Sequence, residues 1–137
     1  MDAKVEMLRQ VPLLAGLGRK ELEAVAQLCD EVDLPEGREL MREGDIGDEF
    51  FLLVEGSVRV DRGGRTVATL GPGQFLGEIS LVDHGPRTAT ATCETACRML
   101  VLAHREFNSL MNSNADVRGR ILEALAKRVR RLDTAVD

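Results

Sequence analysis

The chain has 137 residues, 44% apolar and 30% charged, which suits one folded domain with a buried core and excludes a disordered chain. Eighteen basic residues against twenty-three acidic give a net charge of −5, which argues against nucleic acid or an anionic membrane as partner. Four Phe with no Trp or Tyr leave almost no stacking platform for single strands. The three cysteines, Cys29, Cys93 and Cys97, are too few and odd in number for a disulfide framework. A reducing compartment, the cytoplasm, is the location expected. No apolar run approaches the ~20 residues of a membrane helix, and the charged N-terminus lacks a signal-peptide core.

Residues 3–29 carry a helical period in Val5, Leu8, Leu22, Val25, Ala26 and Leu28. Pro12, Gly16 and Gly18 split it into helices over Ala3–Arg9 and Arg19–Cys29. From Glu31 the pattern changes to short strands. Ten of the thirteen glycines lie between Gly37 and Gly85, where tight turns need positive φ. Strands are predicted around Val32 and Leu34, at Glu39–Met41, Glu49–Glu55, Ser57–Asp61, Arg65–Leu70, Arg87–Cys93 and Arg98–Ala103. Glu49–Glu55 is apolar enough to be buried on both faces, and Asp61-Arg62-Gly63-Gly64 reads as a hairpin turn. The helical period returns from His104 to about Thr134, with Asn114 or Asp116 as N-cap. Ile121, Leu122, Leu125, Ala126, Val129 and Leu132 form its apolar stripe. The fold class expected is α+β: a single domain over 1–137, with an eight-stranded antiparallel, jelly-roll-like β-roll over 31–103 flanked by N-terminal and C-terminal helices.

The chemistry concentrates in Gly71–Thr92. Arg87 is always charged, and its planar fork suits a phosphate. The residues after it, Thr88 to Ala91, are small and leave room beside it. Gly77 gives backbone access, and a helical turn starting at Glu78 would aim the amides near Gly77, Ile79 and Ser80 at an anion. Glu78 repels a phosphate but accepts hydrogen bonds from a sugar hydroxyl. A phosphate and a ribose hydroxyl side by side describe a cyclic nucleotide.

The segment Phe75-Leu76-Gly77-Glu78-Ile79-Ser80-Leu81, the loop Val82–Pro86 and Arg87-Thr88-Ala89 resemble the phosphate-binding cassette (75–89) of cyclic nucleotide-binding domains. Gly44, Gly56 and the turn Gly71-Pro72-Gly73 also match that family, as do the opening VPLLAGLGRKELEAVA and the closing LAKRVRRLD. The resemblance implies a binding site of Leu76, Gly77, Glu78, Ile79, Ser80, Pro86, Arg87, Thr88 and Ala89. Glu78 would hold the ribose 2′-OH, Arg87 the cyclic phosphate, and the Ile79 and Ser80 amides would complete the cradle. Thr88 borders phosphate and base; a Thr there favours cGMP in some members and occurs in cAMP-binding ones. Arg131, Asp133 and Thr134 are implied as a base-capping lid. The implied function is a sensor of a cyclic nucleotide, cAMP ahead of cGMP as the ligand expected, in which Leu81 and Phe75 shift and the C-terminal helix moves. The alternatives are a nucleotide-independent interaction module of the same fold, or the sensor part of a larger transcription regulator. A homodimer through the last helix is the partner expected, with the effector undefined.

Other residues have plainer readings. His84 reads as a solvated turn residue and His104 as a cap on the helix beside it. No close His-x-His pair exists for a cupin-like metal site, and no nucleophile–base pair is visible, so neither catalysis, metal nor cofactor is expected. Cys93 and Cys97 bracket a turn and read as buried thiols. Lys127, Arg128, Arg130 and Arg131 read as a solvated helix face. Asp45, Asp48 and Glu49 read as a turn, since calcium-loop spacing is absent.

Overall fold

The change from helical to alternating period near residue 30 is where the chain enters its sheets. The computed structural model describes residues 3–83 and 85–136; the side chains of Arg128 and of residues 131–136 lie outside the description, as does His84. In chain order come α1 (Ala3–Arg9), a 3-10 turn (Pro12–Leu14), α2 (Arg19–Leu28), β1 (Asp30–Leu34), β2 (Glu39–Met41), β3 (Glu49–Glu55), β4 (Val58–Arg62), β5 (Arg65–Leu70), β6 (Phe75–Leu76), a second 3-10 turn (Glu78–Leu81), β7 (Thr90–Cys93), β8 (Cys97–Ala103), α3 (His104–Ser113) and α4 (Ala115–Val136). No helix among the described residues is long and apolar enough to cross a membrane.

The chain divides into two compact units, one running from Leu28 to Phe107 and the other built from the chain before and after it. The first unit is the roll. Its eight strands form two antiparallel sheets, ordered β1-β8-β3-β6 and β2-β7-β4-β5. Alternate residues of both sheets meet between them: Phe51 and Leu53, Val58 and Val60, Ala91 and Cys93, Cys97 and Met99. Phe50 to Leu53 are buried on both faces of β3, as its continuous apolar run requires. The β4–β5 hairpin turns at Gly63 and Gly64, both at positive φ, which the primed hairpin turns demand.

In the helical unit, Val5, Leu8, Leu13, Leu14, Leu22 and Val25 are buried. Asn114 caps α4, its Oδ1 accepting from the amides of Asp116 and Val117 at 3.1 Å each. Arg120 donates to the Gly16 carbonyl at 2.8 Å, which ties α4 to the end of the first turn. The predicted stripe on α4 is only partly covered. Of its residues Ile121 is buried, whereas Leu122 and Val129 are 60% and 58% exposed; the buried Val117 precedes the stripe.

Three features depart from the sequence expectation by more than a single residue. Phe75–Leu76 is a strand of its own, pairing with β3, too short to leave a periodic signal. α4 continues to Val136. Arg87 was expected to open a strand, but β7 begins at Thr90. The reason is a competing partner: Gly44 donates to Arg87 O at 2.9 Å, Arg87 N to Asp45 O at 2.7 Å, and Ile46 bridges Pro86. The segment 85–87 is strapped to 44–47 instead of to β4.

Candidate functional site

The cassette hangs from the edge of a sheet. Leu76 pairs with Phe51 of β3, and Gly77 then turns the chain at φ 76° and ψ 24°, a left-handed conformation that favours glycine. A Cβ on Gly77 would also lie 2.6 Å from Arg87 Nη1 and 2.6 Å from Glu49 O. Conformation and space both demand glycine here. The 3-10 turn Glu78–Leu81 follows, with Glu78, Ser80 and Leu81 buried and Ile79 exposed.

Arg87 enters the same spot from the strap. Its Nη1 donates to Ser80 Oγ at 2.8 Å and its Nη2 to the Glu49 carbonyl at 2.8 Å. Its Cζ lies 5.9 Å from the centroid of the Phe51 ring, a cation–π distance. Two of the five guanidinium N–H donors are thus committed to protein acceptors. Burial draws the Arg87 pKa down, and the carboxylates of Glu49 and Asp48 push it back up. An arginine remains charged under any such balance at neutral pH. The half-buried cation is therefore held rigidly, with part of its fork uncommitted.

Gly47 is a residue that turn-based reasoning missed. Its φ is not in the positive range, so no turn rule selects it. A Cβ there would fall on Nε, Cζ and Cδ of Arg87. The guanidinium runs through the space that Gly47 leaves empty. The only sequence signal is a second glycine three residues after Gly44 in EGDIGDEF. Asp45 and Asp48, read as plain turn residues, lie in this same loop beside Arg87.

Most of the sequence-predicted residues come together here. Gly77, Ser80 and Arg87 are in mutual contact, and Glu78 is buried at 7% exposure in the turn between Gly77 and Ser80. Pro86 sits in the strap opposite Ile46. Leu76 packs against the roll interior, which also buries Ala89. Thr88 is exposed, and its carbonyl accepts from Arg62 Nε of the β4–β5 hairpin at 3.0 Å. One expectation is corrected: the Ser80 amide is not free for an anion, because it closes the 3-10 turn on Gly77 O at 2.9 Å. Ser80 offers its hydroxyl to the site instead. His104, read as a helix cap, has its ring directed at the cassette, with Nδ1 bonded to Ser80 O at 3.0 Å. Arg131, Asp133 and Thr134 fall within α4, but their side chains lie outside the described residues.

Comparison with known proteins bears on the same region. A family model described as the cyclic nucleotide-binding domain matches residues 31–114. The N-terminal domain of a transcriptional regulator from Streptomyces coelicolor superposes with a TM-score of 0.86 at 36% identity, covering 94% of this chain and 96% of that one. The cyclic AMP receptor protein of Thermus thermophilus is 33% identical over 131 residues, covering 92% of this chain and 61% of that protein. The regulatory subunit of the cAMP-dependent protein kinase of Schizosaccharomyces pombe is 30% identical over 112 residues, covering 81% of this chain and 27% of that protein. The chain thus spans about three fifths of the first of these two curated relatives and about a quarter of the second.

Proposed function

The chain belongs to the cyclic nucleotide-binding domain family, and from that premise we propose that it is a sensor that binds cAMP in preference to cGMP and catalyses nothing. The observation that carries this reading is the Arg87 guanidinium, clamped by Ser80 Oγ and Glu49 O in a space cleared by Gly47 and Gly77. A fixed, partly desolvated cation with spare donors is complementary to one cyclic phosphate. In this reading Arg87 takes the phosphate, with the Ser80 hydroxyl and the Ile79 amide beside it. Glu78 accepts from the ribose 2′-OH. Gly77 supplies clearance, Leu76 and Ala89 the apolar wall, and Pro86 and Thr88 the rim. Arg131, Asp133 and Thr134 would cap the base. The preference for cAMP is supported by the names of the bacterial and yeast relatives, both of which refer to cAMP.

Ligand binding would be coupled to movement of the C-terminal helix, which requires one arrangement to bind the nucleotide better than the other. Exposed Leu122 and Val129, one heptad apart on α4, suit a homodimer seam. A cytoplasmic regulator in which this domain instructs a further effector is the context that fits these relatives.

A thermal melt tests the reading. At 100 times Kd a ligand adds about 2.7 kcal/mol of stability, several degrees for a domain this size. We expect cAMP and, more weakly, cGMP to raise the Tm, and 5′-AMP not to. Arg87→Ala should remove most of the shift while the protein stays folded. No shift with either cyclic nucleotide would leave the interaction-module reading in its place.

A further inference from the structure

Arg87 is only as rigid as its two acceptors. Ser80 belongs to a four-residue 3-10 turn and Glu49 to the first position of β3. These segments are 31 residues apart in sequence; the β3–β6 pairing joins their chains at Phe51 and Leu52 against Leu76 and Phe75, short of both acceptors. His104, the first residue of α3, bonds to both. Its backbone N–H donates to Asp48 O at 2.7 Å, the carbonyl of the peptide that leads into Glu49. Its ring Nδ1 lies 3.0 Å from Ser80 O, the carbonyl of the residue whose hydroxyl receives Arg87. A carbonyl only accepts, so Nδ1 carries the proton in this contact. The last carbonyls of a helical turn lack partners of their own, and this ring supplies one.

We infer that His104 is a positioning residue for the anion site: it spans the two segments that hold Arg87 and sets the spacing of that arginine's acceptors. It touches no ligand itself. The inference rests on the reading of Arg87 as the phosphate-binding group, but its first consequence is visible without ligand. With His104 present, the Arg87 Nη groups are pinned at Ser80 and Glu49, so rotation about the guanidinium bonds is slow. Without the ring donor, the turn carrying Ser80 is released and that rotation quickens.

The test uses His104→Ala, His104→Phe, which keeps ring bulk without a donor, and His104→Asn, whose amide restores one. NMR of the Arg87 guanidinium in the ligand-free protein is the first readout. Slow Nη rotation is expected in the wild type and His104→Asn, and fast rotation in whichever of the Ala and Phe variants folds. Calorimetric titration is the second. One lost neutral hydrogen bond converts to about a five- to tenfold weaker Kd, equal for cAMP and cGMP because the defect lies at the phosphate end, with recovery to within about twofold in His104→Asn. Slow Arg87 rotation in a folded Ala or Phe variant, a Kd unchanged in that variant, or a loss confined to one base would overturn the inference. If the wild type binds neither nucleotide, the proposed function fails and the Arg87 rotation alone decides the role of His104.

Discussion

Gly47→Ala is the smallest change that should dismantle the site. The added methyl falls on Nε, Cζ and Cδ of Arg87, so the side chain must leave its channel. Leaving breaks the bonds to Ser80 Oγ and Glu49 O. Hydrogen bonds to charged groups contribute about 1.5–3 kcal/mol each, but a half-buried guanidinium regains water when it swings out. Overpacking costs a further 1–3 kcal/mol or so, and relaxation of the loop offsets part of it. A net loss of about 2 kcal/mol follows, which lowers Tm by roughly 6 °C in a chain of this length. Gly119→Ala is the internal control. Nothing lies within 4 Å of a Cβ there, and the position is inside α4, so the same added methyl should stabilise by about 0.5–1 kcal/mol. Parallel urea melts, with cAMP titration of each variant, make the measurement. Gly47→Ala should also weaken the nucleotide about 100-fold, the equivalent of roughly 3 kcal/mol of charged contacts. Equal stability of the two variants, or full nucleotide affinity in Gly47→Ala, would refute the close-approach reasoning.

Two further outcomes follow from the geometry. Burial first, then the neighbouring Cys97 thiol, pushes Cys93 up to about 12, while an unfolded thiol titrates near 8.5 or so. The folded value is the raised one, so the contribution is intact below about pH 8.5 and is lost as pH climbs toward 12. Urea midpoints should fall between pH 8 and pH 10 in the wild type and fall less in Cys93→Ala; parallel slopes would count against it. Asn114→Ala removes both side-chain acceptances at the start of α4 and should cost about 1 kcal/mol, read as a lower melting midpoint in the ligand-free protein.

What could be read from the chain, and what could not, divides along one physical line. Local signals did well. Gly37, Gly44, Gly56, Gly63, Gly64, Gly73 and Gly77 all take positive φ, and the strands they separate lie close to where the alternation put them. Asn114 acts within three residues of itself, so its cap was legible. The elements of the site that escaped notice all act at a distance. Gly47 serves Arg87, 40 residues on; the Glu49 carbonyl serves the same guanidinium from 38 residues away; His104 reaches Ser80 across 24. A residue type announces its own φ, its own charge and its own period, but not the space it leaves for another. The cassette could be located because its glycine, glutamate and arginine fall within eleven residues, Gly77 to Arg87. The contacts that hold the arginine in place come from a strap, a strand start and a helix start. Only the folded chain brings those three together, so substitutions outside the cassette's own sequence, Gly47→Ala above all, should disable it as surely as loss of Arg87.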